Sequence, residues 1–386
     1  MKEKGYKFIN ISIYGYLCIS MLLLAISNIF GFWTENFAGI VYGIFGLLGV
    51  TNIIIQNKYK IRDKSSIFYL FLISCVLTIF INSMKLSIIE SQYIKIFAYL
   101  IVFIVMPFIC GKYFAISLGK FNSKIINILL IAYGILLLFD ILKGIGSYGY
   151  RIFSTTGNSL LQATAIMCLG SMFMANNIKN IKGIVWYMFF SLILLLVGSR
   201  GIAISYIISG AIVIYVYRKS DFIKIIRTII SLIIFGFILF ICFKKVFLES
   251  DFLWRWQLLF QDIKLSGIKF SVIDPARYGL FIYGMSIFKE NYLFGNIFYD
   301  GIAGLYIHNF FIDILVRIGM FGATIFYVFL LKNFKKYIYK SSDDFTKIAF
   351  KIIFIAMIIN GIVATTLFYN PVFWVGFGYI TSYRES

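Results

Sequence analysis

Apolar residues run in long blocks along this chain, and polar residues in short ones. A bilayer core about 30 Å thick takes roughly 20 apolar helical residues. Blocks near that length recur at 8–30, 37–55, 66–84, 92–110, 123–142, 158–175, 183–198, 201–217, 225–243 and 309–331, then at 348–367, with a short last one at 371–383. The pattern predicts an all-α, polytopic integral membrane protein with about 12 transmembrane helices. The first block follows Met1-Lys2-Glu3-Lys4, and it is too long, with no small-residue cleavage site, for a removable signal. The closest pair of blocks is joined at Gly198-Ser199-Arg200.

One connection is unlike the rest. Residues 244–308 separate two blocks, and loops of that length are usually functional. Phe252, Trp256, Leu259 and Ile263 recur at helical spacing, with Glu249 and Asp251 just before them and Arg255 and Asp262 between them. That spacing predicts an amphipathic interfacial helix with Trp254 and Trp256 at headgroup depth. A second helix is expected from Ala276 to Lys289, after Pro275. There is no solenoid repeat, low-complexity segment or separate soluble domain, so residues 1–386 read as one membrane domain.

Composition removes the soluble alternative. The chain has 386 residues, 61% hydrophobic and 13% charged, with mean hydropathy +0.91. An average soluble domain is about 45–50% apolar and about 25% charged. The formal net charge of +20 would suggest nucleic acid, but the location of the charges decides otherwise. With the N-terminus inside, 23 of the 36 Lys and Arg residues and six acids fall on the cytoplasmic connections and termini. The positive-inside rule accounts for that sorting, and anionic lipid heads for the attraction it creates, so no nucleic-acid partner is needed. Both termini are then cytoplasmic, and 244–308 is an extracytoplasmic loop before the tenth span. Cys18, Cys75, Cys110, Cys168 and Cys242 all sit inside apolar runs, where they read as small core residues without a disulfide or metal framework.

Charge in or near a span is costly and calls for a reason. On the outer half these groups are Asp140, Arg151, Arg200, Arg277, His308, Asp313 and Arg317, and His308 is the only histidine in the chain. Each has a plain structural reading. His308-Asn309 can cap a span, since Asn is a favoured N-cap. Arg200 can snorkel, as can Lys244 and Lys245, and Arg277 can pair with Asp274 at the surface. Asp313 and Arg317 stand four apart, the spacing of a neutralised helical pair. Asp140 reads as a solvated helix end.

The run His308-Asn309, then Asp313, then an apolar stretch ending Gly319-Met320-Phe321-Gly322, resembles the signature that follows the large outer loop in the O-antigen polymerase and O-antigen ligase superfamily. Three further stretches are similar to that family and in its order. Arg151-Ile152-Phe153 through Asn158 resembles its Arg…Asn element, and Gly198-Ser199-Arg200-Gly201 its Ser-Arg turn. Arg277 with Asn291-Tyr292-Leu293-Phe294-Gly295 resembles its Arg…Asn-Pro-Leu-Phe-Gly stretch. Tyr292 stands where proline is usual, Ile297 where a second glycine is, and Arg317 where an acid is common.

The resemblance implies a GT-C-like, metal-independent glycosyltransferase without a cofactor, acting at the outer face of a bacterial plasma membrane. Its partners would be polyprenyl-pyrophosphate-linked oligosaccharides, membrane lipids and, as a candidate, a chain-length regulator protein. The chemistry fits these residue types. A departing pyrophosphate gains negative charge, and guanidinium groups stay protonated and grip phosphate oxygens bidentately. Arg200 and Arg277 are the candidates for that task. His308 is the side chain suited to take the acceptor hydroxyl proton near neutral pH. Asp274, Glu290 and Asp300 are rival bases without a motif match. Arg151, Asn158, Asn309 and Asp313 are candidate substrate-binding residues. A polymerase extending a lipid-linked repeat unit is the first reading. A ligase moving the finished glycan to lipid A core or another acceptor is the second, and a flippase of lipid-linked oligosaccharide the third.

Overall fold

The computed structural model describes residues 7–31, 35–55, 66–85, 90–144, 159–197, 199–218, 275–299, 307–338, 342, 344–363, 366 and 370–382. Among the described residues the regular structure is entirely helical. The first block is α1 (Lys7–Tyr14), a π-helical turn (Gly15–Ile19) and α2 (Ser20–Ile29). Next come α3 (Glu35–Ile55) and α4 (Ser66–Lys85). The following block is α5 (Glu90–Tyr99), a second π-helical turn (Leu100–Val105) and α6 (Met106–Ile116). Then follow α7 (Ser123–Gly144), α8 (Ser159–Asn176), α9 (Ile181–Leu196) and α10 (Arg200–Arg218). The last four are α11 (Pro275–Glu290), α12 (Phe310–Ile338), α13 (Phe345–Val363) and α14 (Pro371–Thr381).

Seven of these stretches are long and apolar enough to cross a bilayer: Phe8–Ile29, Phe37–Ile55, Ile67–Met84, Gln92–Ile116, Ser123–Lys143, Phe310–Lys335 and Phe345–Ile362. They coincide with seven expected spans, and the chain is a multi-pass membrane protein. Four other expected spans are shorter apolar helices, α8, α9, α10 and α14. The span expected at 225–243 and the amphipathic stretch around Trp254 and Trp256 lie outside the described residues, as does Cys242. The helix expected after Pro275 is α11, with the proline at its first position, where a missing N–H costs nothing.

Burial sorts the helices. On α7, Ile126, Leu129, Tyr133, Leu136 and Asp140 are buried, whereas Ile128, Ile131, Ile135, Leu138 and Leu142 are exposed. The 3–4 spacing of the buried set is one helical face turned inward, and the other face is apolar for lipid. Asp140 falls on the inward face and is fully buried, which corrects its reading as a solvated helix end. The spacing of its apolar neighbours, and not its nearness to the helix terminus, decides its environment.

At the centre lies α14, buried from Pro371 through Ile380. Asn370 caps it by accepting the Phe373 N–H at 3.1 Å, and Pro371 starts it. Eleven residues rise only about 16 Å, half of a bilayer core. It crosses α6 nearly backbone to backbone. A β-carbon on Gly111 would strike the Val375 carbonyl, and one on Gly378 would strike that of Phe108. Small residues at a crossing let helices approach closely where packing, not water, drives association. Cys18, Cys75, Cys110 and Cys168 are buried and unpaired with one another.

Candidate functional site

The helix directions bring several chain positions to one end of the bundle. Helices α8, α9 and α10 run up, down and up: Phe173 packs on Trp186 at 4.7 Å, and Tyr187 donates its hydroxyl to Ile207 O. Helix α13 is antiparallel to α10, because the end of α10 at Tyr217 accepts the Ser342 N–H and faces Lys351 near the start of α13. Helix α14 is antiparallel to α13, with Phe354 against Phe377 and Phe350 against Tyr379. Asn309 Nδ2, just before α12, donates to Ile362 O at the end of α13 at 2.8 Å. Helices α8, α10, α12 and α14 therefore all begin at the end where α13 finishes. Four N-termini give that end a positive partial charge.

The sequence-predicted residues sort as follows. Arg200 is the first residue of α10, and so lies at this end by its backbone. His308 and Asn309 immediately precede α12 there, both half-buried. Arg277 is the third residue of α11, a helix that packs on α12 through Gly284, which abuts Ile307. Arg151 and Asn158 lie outside the described residues; Ser159, the next residue, opens α8. Of the rival bases, Asp274 and Asp300 also lie outside them, and Glu290 is the last residue of α11. The opposite end carries Lys347 and Lys351, and Phe121 there donates its N–H to Thr346 Oγ1, which sets Lys120 and Lys124 at that end too.

Asn309 is an N-cap, as its residue type allows. Its Oδ1 accepts from Phe311 N at 3.1 Å and Ile312 N at 3.0 Å while its Nδ2 holds α13. The neighbouring imidazole is thereby fixed to a backbone pinned in two directions. Asp313 and Arg317 form the expected pair, Nε to Oδ1 2.9 Å, both almost fully buried. Arg317 Nη1 also donates to Ile297 O at 3.0 Å. Tyr299 lies beneath, its ring 5.6 Å from the guanidinium and packed with Ile307 and Val316. Burial, then the Asp313 charge, pushes the Tyr299 hydroxyl up to about 12, with Arg317 acting against them.

Sequence reasoning missed how two motif stretches meet. Helix α12 is broken at Gly319 (φ 66°, ψ −175°), a conformation open essentially to glycine alone. The segment after α11 fills the break. Met320 N donates to Tyr292 O at 2.8 Å, Phe321 N to Leu293 O at 3.1 Å, and Asn296 N to Val316 O at 2.8 Å. Asn82 Nδ2 on α4 secures Gly295 O at 3.1 Å. The turn thus forms with Tyr292 and Ile297 in place of proline and glycine. Asn360 on α13 and Thr366 beyond it are also buried at this end and were passed over. A polar residue inside an otherwise apolar span was the available signal.

Compared with protein families, curated proteins and solved structures, the chain matches none.

Proposed function

We propose that this protein is a polysaccharide polymerase. It transfers a growing glycan from polyprenyl pyrophosphate onto the terminal sugar of a lipid-linked repeat unit at the outer face of a bacterial plasma membrane. In this reading the chain has about 12 spans in a GT-C-like arrangement with both termini cytoplasmic. The observation that carries it is the convergence of helix starts: Arg200, the His308-Asn309 cap and the start of α8 share one end, with Arg277 on the helix packed beside them.

The acceptor hydroxyl oxygen attacks the anomeric carbon of the donor, and His308 takes the hydroxyl proton. The bond from that carbon to the pyrophosphate oxygen breaks, and its electron pair leaves with the pyrophosphate. Arg200 and Arg277 offset that charge, aided by the helix N-termini. Arg151 holds the second lipid phosphate or the acceptor glycan. The Asp313–Arg317 pair keeps the start of α12 in register with Ile297. Purified protein incubated with lipid-linked repeats should produce a ladder of longer glycans. A single unextended band would sink the polymerase reading, and transfer of a finished glycan to lipid A core would replace it with the ligase.

A transporter reading has one observation in its favour. Helix α12 is interrupted at Gly319 and α14 is a half-length buried helix, and discontinuous helices of this kind line substrate paths in transporters. Movement of labelled lipid-linked sugar across a liposome membrane without elongation would select it.

A further inference from the structure

Helices α1 and α3 run antiparallel and touch closely. A β-carbon on Gly15 would strike the Phe45 ring, and one on Gly49 would lie 2.6 Å from Ser12 Oγ. Small residues allow such an approach. Alongside that contact the same two helices bound an open groove of about 270 Å³. Phe8 on α1 and Ile44, Leu47, Leu48 and Ile55 on α3 form its apolar walls. From Ile44 to Ile55 the helix rises about 16 Å, the depth of one leaflet of a bilayer core.

The lining changes along that length. Thr51, exposed, and Asn52, buried, bring polar groups into the groove within the last turn and a half of α3. That is the basic end of the bundle. Tyr14 on α1 accepts the Asn122 N–H at 2.6 Å, beside the Phe121 that binds Thr346 at the start of α13. Lys7 opens α1 immediately before Phe8. The chain stretches adjoining the groove in sequence, 1–7 and 56–64, hold seven basic residues, Lys7 and Lys58 among them, against Glu3 and Asp63.

The chemistry narrows the ligand. An apolar furrow of one leaflet's depth that turns polar and then basic follows the order of parts in a glycerophospholipid: acyl chain, ester, phosphate. The Thr51 hydroxyl can donate to an ester carbonyl, and the basic excess favours an anionic headgroup over a zwitterionic one. A polyprenyl chain brings no ester to Thr51, and a neutral lipid brings no charge. We propose that the groove between α1 and α3 binds one anionic glycerophospholipid, its acyl chain along Leu47 and Leu48 and its ester at Thr51. The site is independent of the glycosyl-transfer reading, because it lies at the end opposite the Arg200 and His308 helix starts.

The test titrates full-length protein in detergent with phosphatidylglycerol and with phosphatidylcholine of matched acyl chains, and native mass spectrometry counts the lipids retained. Wild-type protein binds the first phosphatidylglycerol about tenfold more tightly than phosphatidylcholine. Thr51→Trp, which fills the groove from an exposed position, unfolds at the wild-type temperature without lipid and loses about tenfold in affinity for phosphatidylglycerol. Leu47→Trp serves if that variant does not fold. Lys7→Gln with Lys58→Gln removes most of the headgroup preference, about fivefold per charge. Lys332→Gln with Lys335→Gln, exposed on α12 at the same end and outside the groove, keeps it. Equal binding of the two lipids by wild-type protein overturns the inference, as does undiminished phosphatidylglycerol binding in the tryptophan variant. An equal loss of preference in the α12 variant also overturns it, since the attraction would then belong to the whole basic surface.

Discussion

Gly295 and Gly319 meet backbone to backbone. A β-carbon on Gly295 would lie 2.5 Å from the Gly319 nitrogen, and one on Gly319 would lie 2.5 Å from the Phe294 nitrogen. Both residues have positive φ, 67° and 66°. The contact joins two stretches that the sequence holds apart and leaves room for no side chain on either.

Replacing either glycine by alanine should therefore lower stability by about 2–4 kcal/mol, since strain and a steric clash act together. Gly279→Ala is the control. Its β-carbon would meet nothing within 4 Å, and a helical glycine gains up to about 1 kcal/mol from alanine. Thermal unfolding in detergent separates the two cases.

Arg317→Ala should cost about 3–5 kcal/mol, because it removes the guanidinium that neutralises the buried Asp313 carboxylate. The double change Asp313→Leu with Arg317→Met should recover most of that loss, as apolar replacement of a buried pair often does. A double variant no more stable than Arg317→Ala would mean that the Ile297 carbonyl, and not Asp313, is the important partner.

Tyr299→Phe should leave stability equal or raised at neutral pH, because the buried hydroxyl has no hydrogen-bond partner among the described residues. The pH response has a definite sign. The folded hydroxyl titrates near 12 against about 10 for an unfolded tyrosine. Between those values the unfolded chain has lost the proton that the folded chain keeps. The group's contribution is thus complete below pH 10 and disappears as the pH rises toward 12. Stability, measured by chemical denaturation across that window, should fall less steeply in the phenylalanine variant than in wild type.

Under the proposed glycosyl transfer, Arg200→Ala and Arg277→Ala should each slow glycan elongation by about 10²–10³, the effect of one lost electrostatic donor. Lysine at either place should restore only part of the rate, because a point charge cannot grip two phosphate oxygens at once. His308→Ala should abolish laddering while lipid binding persists. Ladders of normal length and rate from any of the three alanine variants would remove that residue from its assigned role.

Much of the architecture could be read from residue order. The span boundaries follow from apolar run length, because lipid forces each crossing segment to satisfy its own backbone. Asn309 as a cap and Asp313–Arg317 as a pair are local, three and four residues apart, and helical geometry fixes them. Asp140 lies on the buried face that Tyr133 and Leu136 share, so helical spacing, and not nearness to the helix end, carries its environment. The break at Gly319 was not legible. Its conformation depends on carbonyls of Tyr292 and Leu293 that reach it through a separate segment.

Sequence by itself thus determined that the chain lives in a membrane, which ends of its helices carry basic charge, and where helices start. Each depends on composition or on contacts within one turn. Tertiary structure alone decided that α14 is a buried half-length helix, that α12 is broken and mended by a distant turn, and that Asp140 and Asn360 are buried. These depend on backbone approaches between segments tens to hundreds of residues apart, which no local pattern encodes.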